Sequence, residues 1–287
     1  MHIIRYLFDK LENIFFKNQW RLIFFNKKDQ YGTLLNKYQN IIPPKDRFYA
    51  DPFPVYHNDK LYVFFEEKFF NKKNGFISVL SINTDGSVNS PKKILEENFH
   101  LSYPFILYFD NNYFMIPETA SNNKISLYKC DNFPYKWSFY KHLIHNVKAV
   151  DTTIFYYNDY FWMFTNIAEG QGSSTWDELF LYFSKNLFSN SWKLHPMNPI
   201  VSDVSKARPA GNIFYSKKDI IRPSQNNSKR YGGKIEFNKI IKLNEYEYEE
   251  INIRSSNISF NSSILGTHTI NTIQEFTVSD TINKIKK

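Results

Sequence analysis

The chain has 287 residues, 42% hydrophobic and 18% aromatic against 22% charged, with 9 glycines; this mixture supplies a substantial core and excludes intrinsic disorder, collagen-like repeats and a charged coiled coil. A single cysteine, Cys130, rules out an internal disulfide and a cysteine-based zinc site, and suits a reducing compartment. The net charge of +8 comes largely from scattered lysine pairs such as Lys27-Lys28, Lys72-Lys73, Lys92-Lys93 and Lys217-Lys218, mostly at expected turns, so it reads as a solvated surface and not as a nucleic-acid groove.

The first predicted element is a short amphipathic helix within residues 1–18, where Ile4, Leu7, Phe8, Leu11, Ile14 and Phe15 recur at helical spacing. Acidic residues interrupt its apolar stretch and no small-residue cleavage site follows, so it is a poor secretory signal. Its apolar stripe has two destinations, the body of the protein or a peripheral membrane contact. No apolar run approaches the roughly 20 residues of a membrane-spanning helix.

From Trp20 onward the period shifts to two, and residues 19–287 read as one all-β domain with no linker. One phrase recurs five times: a polar residue, a strand, a short polar turn, and a second strand with a polar end. Its copies begin at Asp51 (ADPFPVYHNDKLYVFFEE), Tyr103 (SYPFILYFDNNYFMIPET), Asp151 (VDTTIFYYNDYFWMFTN), Arg208 (RPAGNIFYSKKDIIRPSQ) and His268 (THTINTIQEFTVSD), 48 to 60 residues apart. Residues 76–88, 124–130, 179–185 and 234–244 supply further strands, punctuated by turn signals such as Asp85-Gly86 and Gly232-Gly233. The pattern predicts a five-bladed β-propeller, closed by residues 20–25 as a strand of the last blade. A long β-sandwich is the alternative, but it would not repeat the same two-strand phrase.

Setting the repeats in register places Asp51, Tyr103, Asp151, Arg208 and His268 at one mouth of the axis, with Glu66, Glu118 and Asn166 fifteen residues beyond the first three. Carboxylates gathered there are costly to bury without a polar partner, which marks a site. Asp51, Glu118 and Asp151 are the candidate reactive group. Arg208 is placed to hold an anion or fix a carboxylate's charge, and Glu66, Glu67, Gln225, Tyr103 and Trp162 are candidate sugar contacts, the aromatic ones by stacking. Paired carboxylates suit glycoside chemistry, one as acid and the other as base or nucleophile, and they equally suit glycan binding without cleavage. No metal-ligand spacing occurs among the other histidines.

The motifs FYADPFPV…YVFFEE, HLSYPFIL…YFMIPETA, AVDTTIF…FWMFTN, HPMNPIVSDVSKARPAGNIF, RPSQN…YGGKI and ILGTHT resemble, in order across roughly residues 20–270, the N-terminal propeller domain of plant glucosamine inositolphosphorylceramide transferase and its stand-alone bacterial relatives. That domain is in turn similar to glycoside hydrolase family 43, which the resemblance implies would place Asp51 and Asp151 at the two conserved aspartate positions of blades one and three. Those hydrolases draw their general acid from a blade-four glutamate, where this chain has Arg208 and Gln225; Glu118 is left as the proton donor. The resemblance also implies a counterpart, His268, for the histidine that in some of them helps hold a central ion. No other cofactor is expected. The plant protein's transferase chemistry resembles that of a separate C-terminal domain outside this sequence, so an enzyme, whether glycosyltransferase or glycoside hydrolase-like, and a non-catalytic module of a polysaccharide assembly complex both stay open. By the same resemblance the partners are a sugar, nucleotide-sugar or lipid-linked glycan, and the setting is cytoplasmic, at the inner face of the membrane if the N-terminal helix binds it.

Overall fold

A computed structural model describes residues 15–33, 38–170, 173–256 and 264–287. Within them the chain forms five antiparallel sheets, four of which are contiguous in sequence. Blade one is Arg47–His57, Lys60–Phe69, Phe76–Ile82 and Lys92–Leu95; blade two is Ser102–Phe109, Asn112–Glu118, Lys124–Asn132 and Lys136–His145. Blade three is Ala149–Tyr157, Tyr160–Ile167, Glu178–Ser184 and Lys193–Leu194, with Val201–Ser202 beside its third strand, and blade four is Phe214–Ser216, Asp219–Asn226, Lys234–Leu243 and Tyr248–Ser255. The inner hairpins of the first three blades turn through Asn58-Asp59, Asp110-Asn111 and Asn158-Asp159, all six at positive φ. Asn and Asp tolerate that conformation, and two such residues in succession make the turn whose twist matches the strands.

The fifth blade closes the ring. Its inner strands, Ile270–Ile273 and Phe276–Lys286, come from the end of the chain, with Ile264–Gly266 paired alongside; its third and fourth, Phe16–Phe25 and Gln39–Ile41, come from the beginning. Trp20 pairs with Ile282 and Phe24 with Val278, so the predicted closure is met by two strands instead of one. This also corrects the first element. Residues 1–14, which carry most of the predicted helix, lie outside the described residues, but Phe16, Lys17 and Asn18 are strand because their backbone groups pair with Lys286, Ile285 and Lys284. Among the described residues the propeller's first strand starts at Phe16, three residues ahead of residue 19.

Both faces of each sheet are buried against neighbouring blades. Tyr103 and Phe105 pack with Ile154 and Phe161 between blades two and three, Trp162 and Leu181 with Ile220 and Tyr248 between three and four, and Leu22 and Phe24 with Val63 and Phe65 between five and one. Side chains on alternate positions of a strand thus both face protein, and only the mouths of the axis and the outer strands meet solvent.

One irregularity recurs at the upper mouth. Asp51, Tyr103 and Asp151 lie in the left-handed region, at φ +54°, +43° and +53°, each where the inner hairpin's register slips. A bulge of this kind bends a strand and re-aims a side chain, and non-glycine residues hold it only when their surroundings compensate. In blade four Gly211, at φ +124°, takes the left-handed position instead, three residues beyond Arg208.

Candidate functional site

The bulges aim their side chains inward, and the surroundings supply the compensation. Asp51 accepts hydrogen bonds from the Thr269 hydroxyl at 2.8 Å and the Tyr103 N–H at 3.3 Å, while its own N–H donates to Asp280 at 3.0 Å. Asp280, fully buried in the second strand of blade five, also accepts from the N–H groups of His268 and Thr269, at 2.9 and 3.1 Å. The His268 ring turns Nδ1 to Asp280 at 2.8 Å and to Asp51 at 3.3 Å. Burial alone would lower the His268 pKa; the two carboxylates outweigh it and raise the value above that of a free imidazole.

Asp51, His268 and Asp280 offer ligand atoms within 4.8 Å of one another, the arrangement a small cation would need. The donor set does not fit one. Both Asp280 oxygens are engaged by two donors each, and Nδ1 of His268, the nitrogen a metal would take, is itself a donor between the carboxylates. The two carboxylates favour the protonated ring, which competes with a cation for the position.

Across the axis, Arg208 grips Asp151 through Nε and Nη2, at 2.5 and 3.3 Å, and Gln225 donates to the same carboxylate at 2.9 Å. Arg208 Nη2 also faces Glu118 Oε2 at 3.7 Å, beyond hydrogen-bond length, and Glu118 keeps 13% of its side chain exposed. The two acids therefore differ. Asp151 has a bidentate counter-ion, whereas burial, followed by the negative charge of Asp151, pushes the Glu118 carboxyl up to about 8 against the pull of Arg208. Burial likewise pushes Asp51 up to about 6, with His268 opposing and Asp151 and Asp280 assisting.

Glu66 reaches the same axis from blade one. Burial, with Asp51 nearby, holds its carboxyl well above the usual range. His100 Nε2 lies 3.4 Å from Glu66 Oε1, and the Gly75 N–H donates to His100 Nδ1 at 2.8 Å, fixing the tautomer whose Nε2–H faces the acid. Only glycine fits at position 75: a Cβ there would stand 2.7 Å from Glu66 Oε1 and 3.0 Å from the Leu101 carbonyl.

The structure thus brings Asp51, Glu66, Glu118, Asp151, Arg208, Gln225 and His268 together at one mouth, and it moves three of the sequence candidates elsewhere. Trp162 is 1% exposed between blades three and four, its indole N–H bonded to the Tyr157 carbonyl, so it cannot stack on a ligand. Tyr103 is also fully enclosed; its hydroxyl accepts the Gly211 N–H at 2.8 Å and meets Thr153 at 2.9 Å, making it a strut across the axis and not a sugar platform. Glu67 points to the opposite face of its strand, where it pairs with Arg47 at 2.7 Å and accepts from Ser78. Successive strand residues face opposite ways, so Glu66 and Glu67 could not both enter the funnel.

Sequence reasoning missed the aromatic wall. The Arg208 guanidinium lies 5.1 Å from the Tyr231 ring centre, Tyr231 lies 5.4 Å from His268, and Trp20 stacks obliquely on His268 at 3.9 Å. Trp176, 38% exposed, extends the wall outward at 5.5 Å from Tyr231. Gly232 makes this arrangement possible, since a Cβ there would meet the Trp20 ring at 2.6 Å. Asp280 was missed as well; it lies mid-strand, next to Ser279 opposite Ile270, and not toward the strand's far end, where Glu66 and Glu118 stand.

Comparison with known proteins places this geometry in context. The family model described as glucosamine inositolphosphorylceramide transferase 1, N-terminal, matches residues 39–279. Curated proteins named glucosamine inositolphosphorylceramide transferase 1 are 34% identical over 207 residues in Oryza sativa subsp. japonica and 31% identical over 209 residues in Arabidopsis thaliana. These matches take in 71% and 72% of this chain but only 28% and 27% of the relatives, so the chain spans little more than a quarter of their length. Similar solved structures include Zg3597, a family 117 glycoside hydrolase of Zobellia galactanivorans, at 10% identity and TM-score 0.56 over 94% of this chain and 90% of that one. The α-L-arabinofuranosidase PaAbf62A from Podospora anserina is 8% identical with TM-score 0.59, over 79% and 77%. At such identities the likeness shows the fold.

Proposed function

This chain belongs to the family of the N-terminal domain of glucosamine inositolphosphorylceramide transferase 1, and from that membership we propose that it is a carbohydrate-active propeller that acts on or transfers a sugar at its axial funnel. The observation that carries the reading is the unequal pair beside Arg208: Asp151 is gripped by Arg208 and Gln225, while neighbouring Glu118, without a hydrogen-bonded counter-ion and partly open to the mouth, is pushed up to about 8 and holds its proton at neutral pH. Asp51, pushed up only to about 6, is ionised under the same conditions. Acid and base are thereby separated, as transfer at an anomeric carbon requires.

In this reading Glu118 gives its proton to the oxygen leaving the sugar as that carbon–oxygen bond breaks. Asp51 takes the proton of the attacking hydroxyl or water as the new bond to the anomeric carbon forms, and Asp151 faces the positive charge that develops in between. Trp176 and Tyr231 offer ring faces for the sugar. On the Asp51 side the His268 ring, its protonated form favoured by Asp280 and Asp51, faces the base. The sugar would come from a nucleotide-sugar or lipid-linked glycan in cell-surface polysaccharide or glycolipid assembly on the cytoplasmic side of the membrane. A glycan-binding module is the second reading, favoured by the full engagement of Asp151 and Asp280 with protein donors.

The test is a ligand-observed NMR screen of nucleotide-sugars and lipid-linked oligosaccharides, followed by a turnover assay on the hit. Glu118→Gln and Asp51→Asn should each lower kcat by on the order of 100-fold or more with KM less affected. Binding with no turnover by the unaltered protein, or full activity in both variants, would leave the module reading.

A further inference from the structure

The far mouth of the propeller, at the turns of the inner hairpins, carries a repeated feature that the axial chemistry does not use. Tyr56, Tyr108 and Tyr156 each stand five residues beyond the left-handed residues Asp51, Tyr103 and Asp151, and Tyr215 takes the corresponding place in blade four. Five residues of strand put these rings roughly 17 Å from the carboxylates, too far to touch the same sugar unit. Tyr108 and Tyr156 are 60% and 56% exposed, against a fully buried Tyr103.

We propose that the cleft between blades two and three at this mouth is a second saccharide site, selective for pyranosides whose hydroxyls are equatorial. The cleft has a volume of about 570 Å³, within the range of small-ligand sites, and Leu107, Ile154 and Phe161 form its apolar floor between Tyr108 and Tyr156. The two tyrosines are held alike: each phenol reaches the side chain of the turn three residues on, Tyr108 to Asn111 and Tyr156 to Asp159, both at 3.4 Å. Each ring also leans on an aromatic of the next strand, Tyr113 at 4.8 Å and Phe161 at 4.9 Å. Two fixed ring faces above an apolar floor match the C–H faces of such a pyranose, and the Lys185 ammonium in the cleft lining is a donor for an equatorial hydroxyl. The charges around these turns are mixed, Asp59, Asp110, Asp159 and Asp219 standing against Lys60, Lys185, Lys217 and Lys218, so the mouth offers no basic patch for anionic headgroups. This inference does not depend on catalysis at the axis.

The experiment uses the full chain with ¹³C-labelled tyrosine rings, the signals of positions 108 and 156 assigned through Tyr108→Phe and Tyr156→Phe, and cellotetraose as the probe, since each of its rings has all hydroxyls equatorial. Both signals should shift saturably at millimolar sugar. Tyr108→Ala with Tyr156→Ala should weaken the binding at least tenfold, while the double phenylalanine variant, which keeps the ring faces, should retain most of it. Unmoved signals at millimolar cellotetraose would overturn the proposal. So would shifts produced instead by phosphatidylglycerol vesicles, or by dilution of the protein alone, which would assign the cleft to a membrane or to a second copy of this chain.

Discussion

Replacing Arg208 with methionine should remove the positive end of a buried pair and leave Asp151 without its counter-ion. The side chains of Arg208 and Asp151 are only 8% and 2% exposed, so water cannot take over. Breaking such a pair from one side costs about 3–5 kcal/mol, and at about 2 °C per kcal/mol for a chain of this size the melting temperature should fall by roughly 6–10 °C. Asp151→Asn should cost less, because Glu118 stands 3.7 Å from Arg208 and is left as its partner. Removing both charges together should recover more than half of the Arg208→Met loss, since the uncompensated carboxylate goes with them. Thermal denaturation of the four proteins followed by circular dichroism completes the cycle. A melting point for Arg208→Met within about 1 °C of the parent, or strict additivity in the double variant, would refute the assignment of this pair as the electrostatic anchor of the axis.

Glu118 holds a proton in the folded state to about 8 and, unfolded, only to the ordinary carboxylate value near 4.5, so the folded protein binds more protons between those limits and stability falls as pH rises through them. Glu118→Gln should flatten that part of the stability profile and raise the melting point at pH 8; an unchanged profile would show that Glu118 does not titrate there. Gly75→Ala should destabilise by about 1–3 kcal/mol, because its Cβ would crowd Glu66 and the immovable Leu101 carbonyl, and a denaturation midpoint equal to the parent's would count against the crowded packing around Glu66 and His100. Trp162→Ala should cost about 3–5 kcal/mol with ligand affinity intact, and exposed Trp176→Ala should do the reverse; calorimetry that finds both effects in Trp162 would return it to the site.

The hairpins were legible because their signals are local. Alternating aromatics around Asn-Asp turns recur at a blade's spacing, and the polar residue that opens each copy marks the axis. Which neighbours turn inward was not legible. In a propeller both faces of a blade are buried, so the alternation that separates core from surface in a half-exposed sheet does not tell the inter-blade Trp162 from a mouth residue, nor Glu67 from Glu66. The bulges at Asp51, Tyr103 and Asp151 carry no glycine to announce them, yet they decide where those side chains point. Asp280 escaped the comparison of second-strand ends, because fifteen residues beyond His268 stands Asn283 and Asp280 lies mid-strand. Trp20, Trp176 and Tyr231 come from a closing strand and two loops that share no repeat position, and only the ring closure brings Trp20 over His268.

Site-specific titration of Glu118 by carboxyl ¹³C NMR tests the central claim most directly, because the acid–base division of the funnel rests on that proton. The account predicts a midpoint of about 8 that drops toward the ordinary glutamate range in Asp151→Asn, where the neighbouring negative charge is gone. A midpoint near 4.5 in the unaltered protein would contradict it, for Glu118 would then have no proton to give at neutral pH.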